Sequence, residues 1–184
     1  MKTRSLLILV LGIWLGGSLV MGAVVSYNFA GFADLFERNP GLAERAGFNP
    51  ADAEAKKTSL LWVHASELNR VFFNAWNRSQ LVFGALALTL ALAARARWLP
   101  VGLLVAALGL VAYIHFGIEP QVVELGRQLD FLPRTPPPPM VEPFQRLHGL
   151  YFSAELLRLT LVALASLLLI LNIKDRPSSC EVSP

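Results

Sequence analysis

Four stretches of this chain stay apolar long enough to be read as membrane helices, which need roughly 20 mostly apolar residues. The first runs from about Ser5 to Ser26 (SLLILVLGIWLGGSLVMGAVVS) and the second covers about 75–95, including LVFGALALTLALAA. The third covers about 99–118 (LPVGLLVAALGLVAYIHFGI), with Pro100 suited to a first helical turn, and the fourth about 152–172. Two polar stretches, 27–58 and 119–146, lie between them. In the first, Asn39-Pro40 and Asn49-Pro50 are helix-start signals. In the second, EPQVVELGRQLDFL reads as a short amphipathic helix offering Val122, Val123 and Leu129 for burial. The PRTPPPPM that follows must be extended and polyproline-like. The pattern predicts an all-α fold: an integral membrane four-helix bundle under a small helical, outward-facing cap. Residues 1–176 form one transmembrane domain and 177–184 a disordered tail.

Polar residues interrupt this pattern at regular intervals. Helical patterning begins near Thr58, so the second helix projects several turns outward before it enters hydrocarbon. In SLLWVHASELNRVFFNAWNRSQ, His64, Glu67, Arg70, Asn74, Asn77 and Arg78 fall on one face about 140° wide. On the fourth span, His148, Tyr151, Glu155 and Arg158 share a face. A charge in hydrocarbon costs about 2.5–3.5 kcal/mol on insertion scales, so these side chains are expected to turn inward and pair. The pairing expected is Glu155 with Arg78 across helices and with Arg158 one turn away. On that expectation, Arg78→Ala lowers thermal stability far more than Arg127→Ala. The pocket between spans two and four would then comprise Arg78, Glu155, Arg158, Asn74, Asn77, Tyr151, Glu67 and His148. Intramembrane ionisable groups are functional candidates, and a small molecule or an ion is the ligand expected. Equally, the same groups would serve simply to fix helix register.

Charge placement orients the chain. Lys2 and Arg4 precede span one, Arg95 and Arg97 fill the turn between spans two and three, and Lys174 and Arg176 follow span four. All three clusters lie on one side if both termini are cytoplasmic. MKTR is a fair signal-peptide n-region, but Met21 would sit three places before a cut after Ala23, so span one is expected to be retained. The net charge of +3 lacks a basic stripe interleaved with aromatics, which argues against nucleic-acid binding. The single cysteine, Cys180, excludes a disulfide framework and a cysteine-based metal site.

The three histidines, His64, His115 and His148, lie near one membrane surface on three helices. With Glu67 or Glu155 they would supply metal ligands, although no tight ligand spacing joins them. No cofactor is expected; metal or haem is the alternative, with the histidines as ligands or acid–base groups. Gly12 and Gly16 form a GxxxG step, and Ser18, Gly22, Ser26 and Ala30 are small residues four apart. Such a face serves packing within the bundle, or a homo-oligomer through Gly12, Gly16 and Gly22. Trp14, Trp62, Trp76 and Trp98 are read as interfacial belt residues. No phosphate-binding glycine loop, G-x-S-x-G or HExxH is present, so an enzyme is not the first reading. A third possibility is an interaction protein whose cap and Pro136–Pro139 run bind a partner.

Three segments carry a family resemblance: LGIWLGGSLVMGAVVSYNFAGF, HFGIEPQVVE and FQRLHGLYFSAELLRLTLV, with Phe144 and His148 in the last. Over about residues 6–172 the chain resembles the bacterial membrane proteins related to transmembrane protein 205, with a longer stretch at 33–58 than that family carries. The resemblance implies a four-helix protein of the bacterial inner membrane with no established reaction. Four-span architecture of this kind is also found in copper-resistance-type and haem-associated membrane proteins, an analogy of fold only.

Overall fold

The computed structural model describes residues 2–33, 35–39, 41–47, 54–132 and 136–174, and among these there is no strand. The helices are α1 (Lys2–Ala33), α2 (Leu35–Arg38), α3 (Leu42–Arg45), α4 (Glu54–Ala93), α5 (Trp98–Tyr113), α6 (Glu119–Leu129) and α7 (Val141–Lys174). A π-helical turn, Ile114–Ile118, joins α5 to α6. The Asn49-Pro50 signal and the 177–184 tail lie outside the described residues.

Each long helix has a local cause. From Ser5 to Ala33, α1 holds neither proline nor charge, and α4 is built from Ala, Leu and other helix formers without proline. Pro143 falls in the first turn of α7, where its missing N–H costs nothing. At the end of α4, Ala96 N–H donates to Ala91 C=O and Arg95 N–H to Leu92 C=O. That is a Schellman closure, and it puts Arg95 at a left-handed φ of 51°.

The third helix departs from the sequence expectation. It does not stop at residue 118 but runs unbroken from Trp98 to Leu129 over 32 residues. Pro120 cannot donate to the carbonyl of Phe116, and its ring would clash there in a regular α-helix. The backbone instead widens into the π turn immediately before it and continues. Likewise α7 begins at Val141, well ahead of the span expected from 152.

Three helices, Lys2–Gly31, Trp98–Leu129 and Val141–Leu171, are long and apolar enough to cross a membrane. The α4 helix is not among them, because its first half is polar. The outward faces of the bundle are apolar: Leu9, Leu19, Val82, Leu92, Phe116 and Phe152 are all exposed. That surface is suited to lipid.

The four long helices run antiparallel in succession. Trp14 of α1 meets Gln80 of α4, while Asn28, farther along α1, meets Asn69, nearer the start of α4. Buried positions follow the helical period: Pro100, Leu104, Ala107, Val111, Ile114 and Ile118 line one face of the third helix. Leu104, Ala107 and Val111 pack with Leu7, Leu11 and Trp14 of α1, Ala87 and Ala91 of α4, and Val162 and Ala165 of α7, while Ile114 and Ile118 pack with Tyr151 and Ala154 of α7. Lipid offers no hydrophobic drive between helices, so close contact over small residues must hold such a bundle. A Cβ on Gly17 would run into the Trp76 ring, and one on Gly84 would sit 2.7 Å from Leu108 and 3.1 Å from Trp14. Gly12, Gly16 and Gly22 are different: a Cβ on any of them meets nothing within 4 Å. The glycines expected to pack within the bundle therefore face outward, and Gly17, one residue along, makes the contact.

Candidate interior polar site

Above the apolar core, side chains from all four long helices form one continuous hydrogen-bonded network. Its anchor is Arg158 of α7, only 1% exposed. The Arg158 Nε–H donates to Glu155 Oε2 at 2.6 Å, and Nη2 donates to Ser18 Oγ at 2.9 Å. Ser18 is fixed in turn by donating to the carbonyl of Trp14. The guanidinium carbon lies 5.6 Å from the centre of a Trp14 ring, within cation–π range. The remaining terminal nitrogen, Nη1, is buried without a hydrogen-bond partner.

Gln80 of α4 carries the network onward. It accepts from Trp14 Nε1 at 3.1 Å and donates to Glu155 Oε1 at 2.8 Å and Asn77 Oδ1 at 3.2 Å. Asn77, fully buried, donates to Glu119 Oε2 and to the Tyr151 hydroxyl, each at 3.0 Å. Tyr151 packs edge-on to Phe73, with ring centres 5.4 Å apart. Asn74 donates to Glu119 Oε1 at 3.0 Å, and His115 Nδ1 lies 2.7 Å from Glu119 Oε2. Glu119 thus sits at the N-terminal edge of α6, 5% exposed, ringed by two amides and an imidazole. The π turn supplies the imidazole.

Several expected site residues take other places. Arg78 is exposed and does not pair with Glu155, whose partners are Arg158 and Gln80. The cause is angular. At about 100° per residue, Arg78 points roughly 160° away from Gln80, which belongs to the buried row with Asn77. His64 and His148 are exposed, and His148 stacks on Phe144 at 5.7 Å. Among the described residues no group of three His, Cys, Asp or Glu side chains is arranged to hold a metal, so the three histidines do not converge. Sequence reasoning missed Gln80, Glu119, Ser18 and Trp14. Gln80 was legible as the residue three beyond Asn77. Trp14 reads in the sequence as a belt residue, yet it is fully buried.

Glu67 belongs to a separate cluster nearer the start of α4. Arg70 donates to Glu67 Oε1 at 2.6 Å and grips Asp130 with two bonds, at 2.8 and 3.2 Å. Arg127 also reaches Glu67 Oε1, at 3.3 Å. A Cβ on Gly126 would lie 2.9 Å from the Arg70 guanidinium, so a larger residue there would make the Arg70 side chain shift. Desolvation works to raise the Glu67 carboxyl, but hydrogen bonds and charge from Arg127 and Arg70 outweigh it and hold it below its usual value. Desolvation likewise works to lower Arg70, and the bonds from Asp130 and Glu67 prevail and raise it. This clamp ties the end of α6 to α4.

No family model matches the chain, and no curated protein or solved structure matches it. The functional reading therefore rests on geometry.

Proposed function

We propose that this chain is an integral membrane protein, crossing the inner membrane of a bacterium four times with both termini cytoplasmic. We propose further that its interior network binds or moves a small molecule or ion between α4 and α7. The outward-facing side is the one that carries α6. The four-span layout and the resemblance to proteins related to transmembrane protein 205 belong to the same proposal. The observation that supports it most is Arg158: a buried guanidinium whose Nη1 has no hydrogen-bond partner, paired with the half-buried Glu155 and linked through Gln80 and Asn77 to the buried Glu119. An unsatisfied buried charge-bearing group is costly, and a ligand accepting from Nη1 would relieve that cost.

Detergent-purified protein screened for thermal shift against a panel of small ions, carboxylates and amines tests this. A compound that raises Tm in the wild type but not in Glu155→Gln supports the site. If no compound distinguishes the two, the network is a scaffold. Reporter fusions at each terminus and in the 119–146 stretch check the orientation.

A further inference from the structure

We propose that the end of the bundle carrying the turn between α4 and α5 holds the headgroup of an anionic phospholipid. The inference begins with where the helices bring their charges. The start of α1, the end of α4 and the start of α5 meet at this end: Leu7, Ala91 and Leu104 share one buried cluster, with Ala96 and Val101 packed against it. Lys2, Arg4, Arg95 and Arg97 stand within two helical turns of those residues along the chain. Neither α1, nor residues 79–118, nor residues 156–174 contain an Asp or a Glu. Four positive charges therefore gather where the helices that build this end supply no carboxylate. Arg97 is engaged within the chain, while no ion pair reaches Lys2, Arg4 or Arg95 among the described residues. Toward the other end the pattern reverses: Arg70, Arg127, Arg146 and Arg158 each lie against a glutamate or an aspartate. Arg95, at a left-handed φ of 51°, is held at the tip of the Schellman closure and is exposed.

Charge alone would suit any soluble anion. The apolar surface beside it selects a lipid. Trp98 follows directly on Arg97 and is 82% exposed. Leu99 beside it, Leu92 on α4 and Leu6 on α1 are exposed as well. Cations and bare apolar side chains thus share one rim. A phospholipid satisfies both, with its phosphate against the cations, its chains along the leucines and the Trp98 indole at headgroup level. The level fits. Hydrocarbon about 30 Å deep takes up about 20 helical residues, so a boundary at Trp98 puts the other near Ile118, where Glu119 and the polar network begin. A zwitterionic headgroup brings the cations no net charge, so this rim discriminates by headgroup charge.

This inference rests on the membrane reading above and is independent of the interior network.

The experiment titrates the full chain in detergent with phosphatidylglycerol or phosphatidylcholine carrying brominated acyl chains, which quench tryptophan fluorescence on contact. The quenching that disappears in Trp98→Phe is the part belonging to Trp98. Phosphatidylglycerol is expected to quench Trp98 at a lower lipid fraction than phosphatidylcholine, and high salt is expected to shrink that preference. Lys2→Gln/Arg95→Asn should weaken it by about 30-fold, the effect of two cations near an anionic surface. Asparagine suits the left-handed φ at position 95. Equal quenching by the two lipids in the wild type overturns the proposal, whether or not the double variant folds. So does a preference that the double variant or high salt leaves unchanged. Displacement of phosphatidylglycerol by inorganic phosphate at comparable concentration would assign the cations to a soluble anion and overturn the lipid. A chain that does not fractionate with membranes defeats the membrane reading and this proposal together, whereas a membrane-embedded chain without headgroup preference defeats this proposal alone.

Discussion

Arg158 and Arg78 have the same side chain and opposite situations. Arg158 is buried and bonded to Glu155 and Ser18, whereas Arg78 is exposed. Removing one partner of a buried ion pair leaves the other uncompensated and typically costs about 3–5 kcal/mol. Surface substitutions usually stay within about 0.5 kcal/mol. Arg158→Met should therefore sharply lower the unfolding midpoint in detergent, while Arg78→Ala should leave it almost unchanged. Equal losses would mean that Arg158 is not the anchor. The double variant Arg158→Met/Glu155→Leu should recover much of the loss, because it removes both charges together.

Among the elements, contact between α1 and α4 depends on which glycine faces inward. Gly17 lies against the Trp76 ring and Gly16 faces open space. Gly17→Val should force the helices apart and cost about 1–3 kcal/mol, the usual range for overpacking. Gly16→Val should cost far less, and thermal unfolding of the two variants side by side decides it. The clamp between α4 and α6 has its own signature. Because Glu67 is held below its usual value in the fold, it binds fewer protons there than in the unfolded chain. Its stabilisation is present above about pH 4.3, where an unfolded glutamate ionises, and is lost as pH falls through the folded value. Glu67→Gln should flatten the acid limb of a Tm–pH profile and leave the neutral region little changed, since Glu67 is 43% exposed at its side chain.

At the scale of the whole molecule, the bundle is apolar at the end bearing the Arg95 turn and polar inside toward α6. The composition by itself determined much of this. Apolar runs that long bury their backbone groups only as helices, and polar residues recurring at helical spacing within them had to face one another. The all-α fold, three of the long apolar helices, and the shared face of Tyr151, Glu155 and Arg158 on α7 were readable because they depend on period and composition alone. Only the tertiary structure decided which degree of rotation each helix takes. That rotation turned Arg78 outward, brought Gln80 and Trp14 in, and exchanged Gly16 for Gly17 at the contact. It also decided Glu119. Pro120 reads locally as the end of a span, yet packing against α4 and α7 carries the helix past it through one widened turn. Propensity acts over a few residues, and whether a helix survives a proline is settled by the neighbours that hold it.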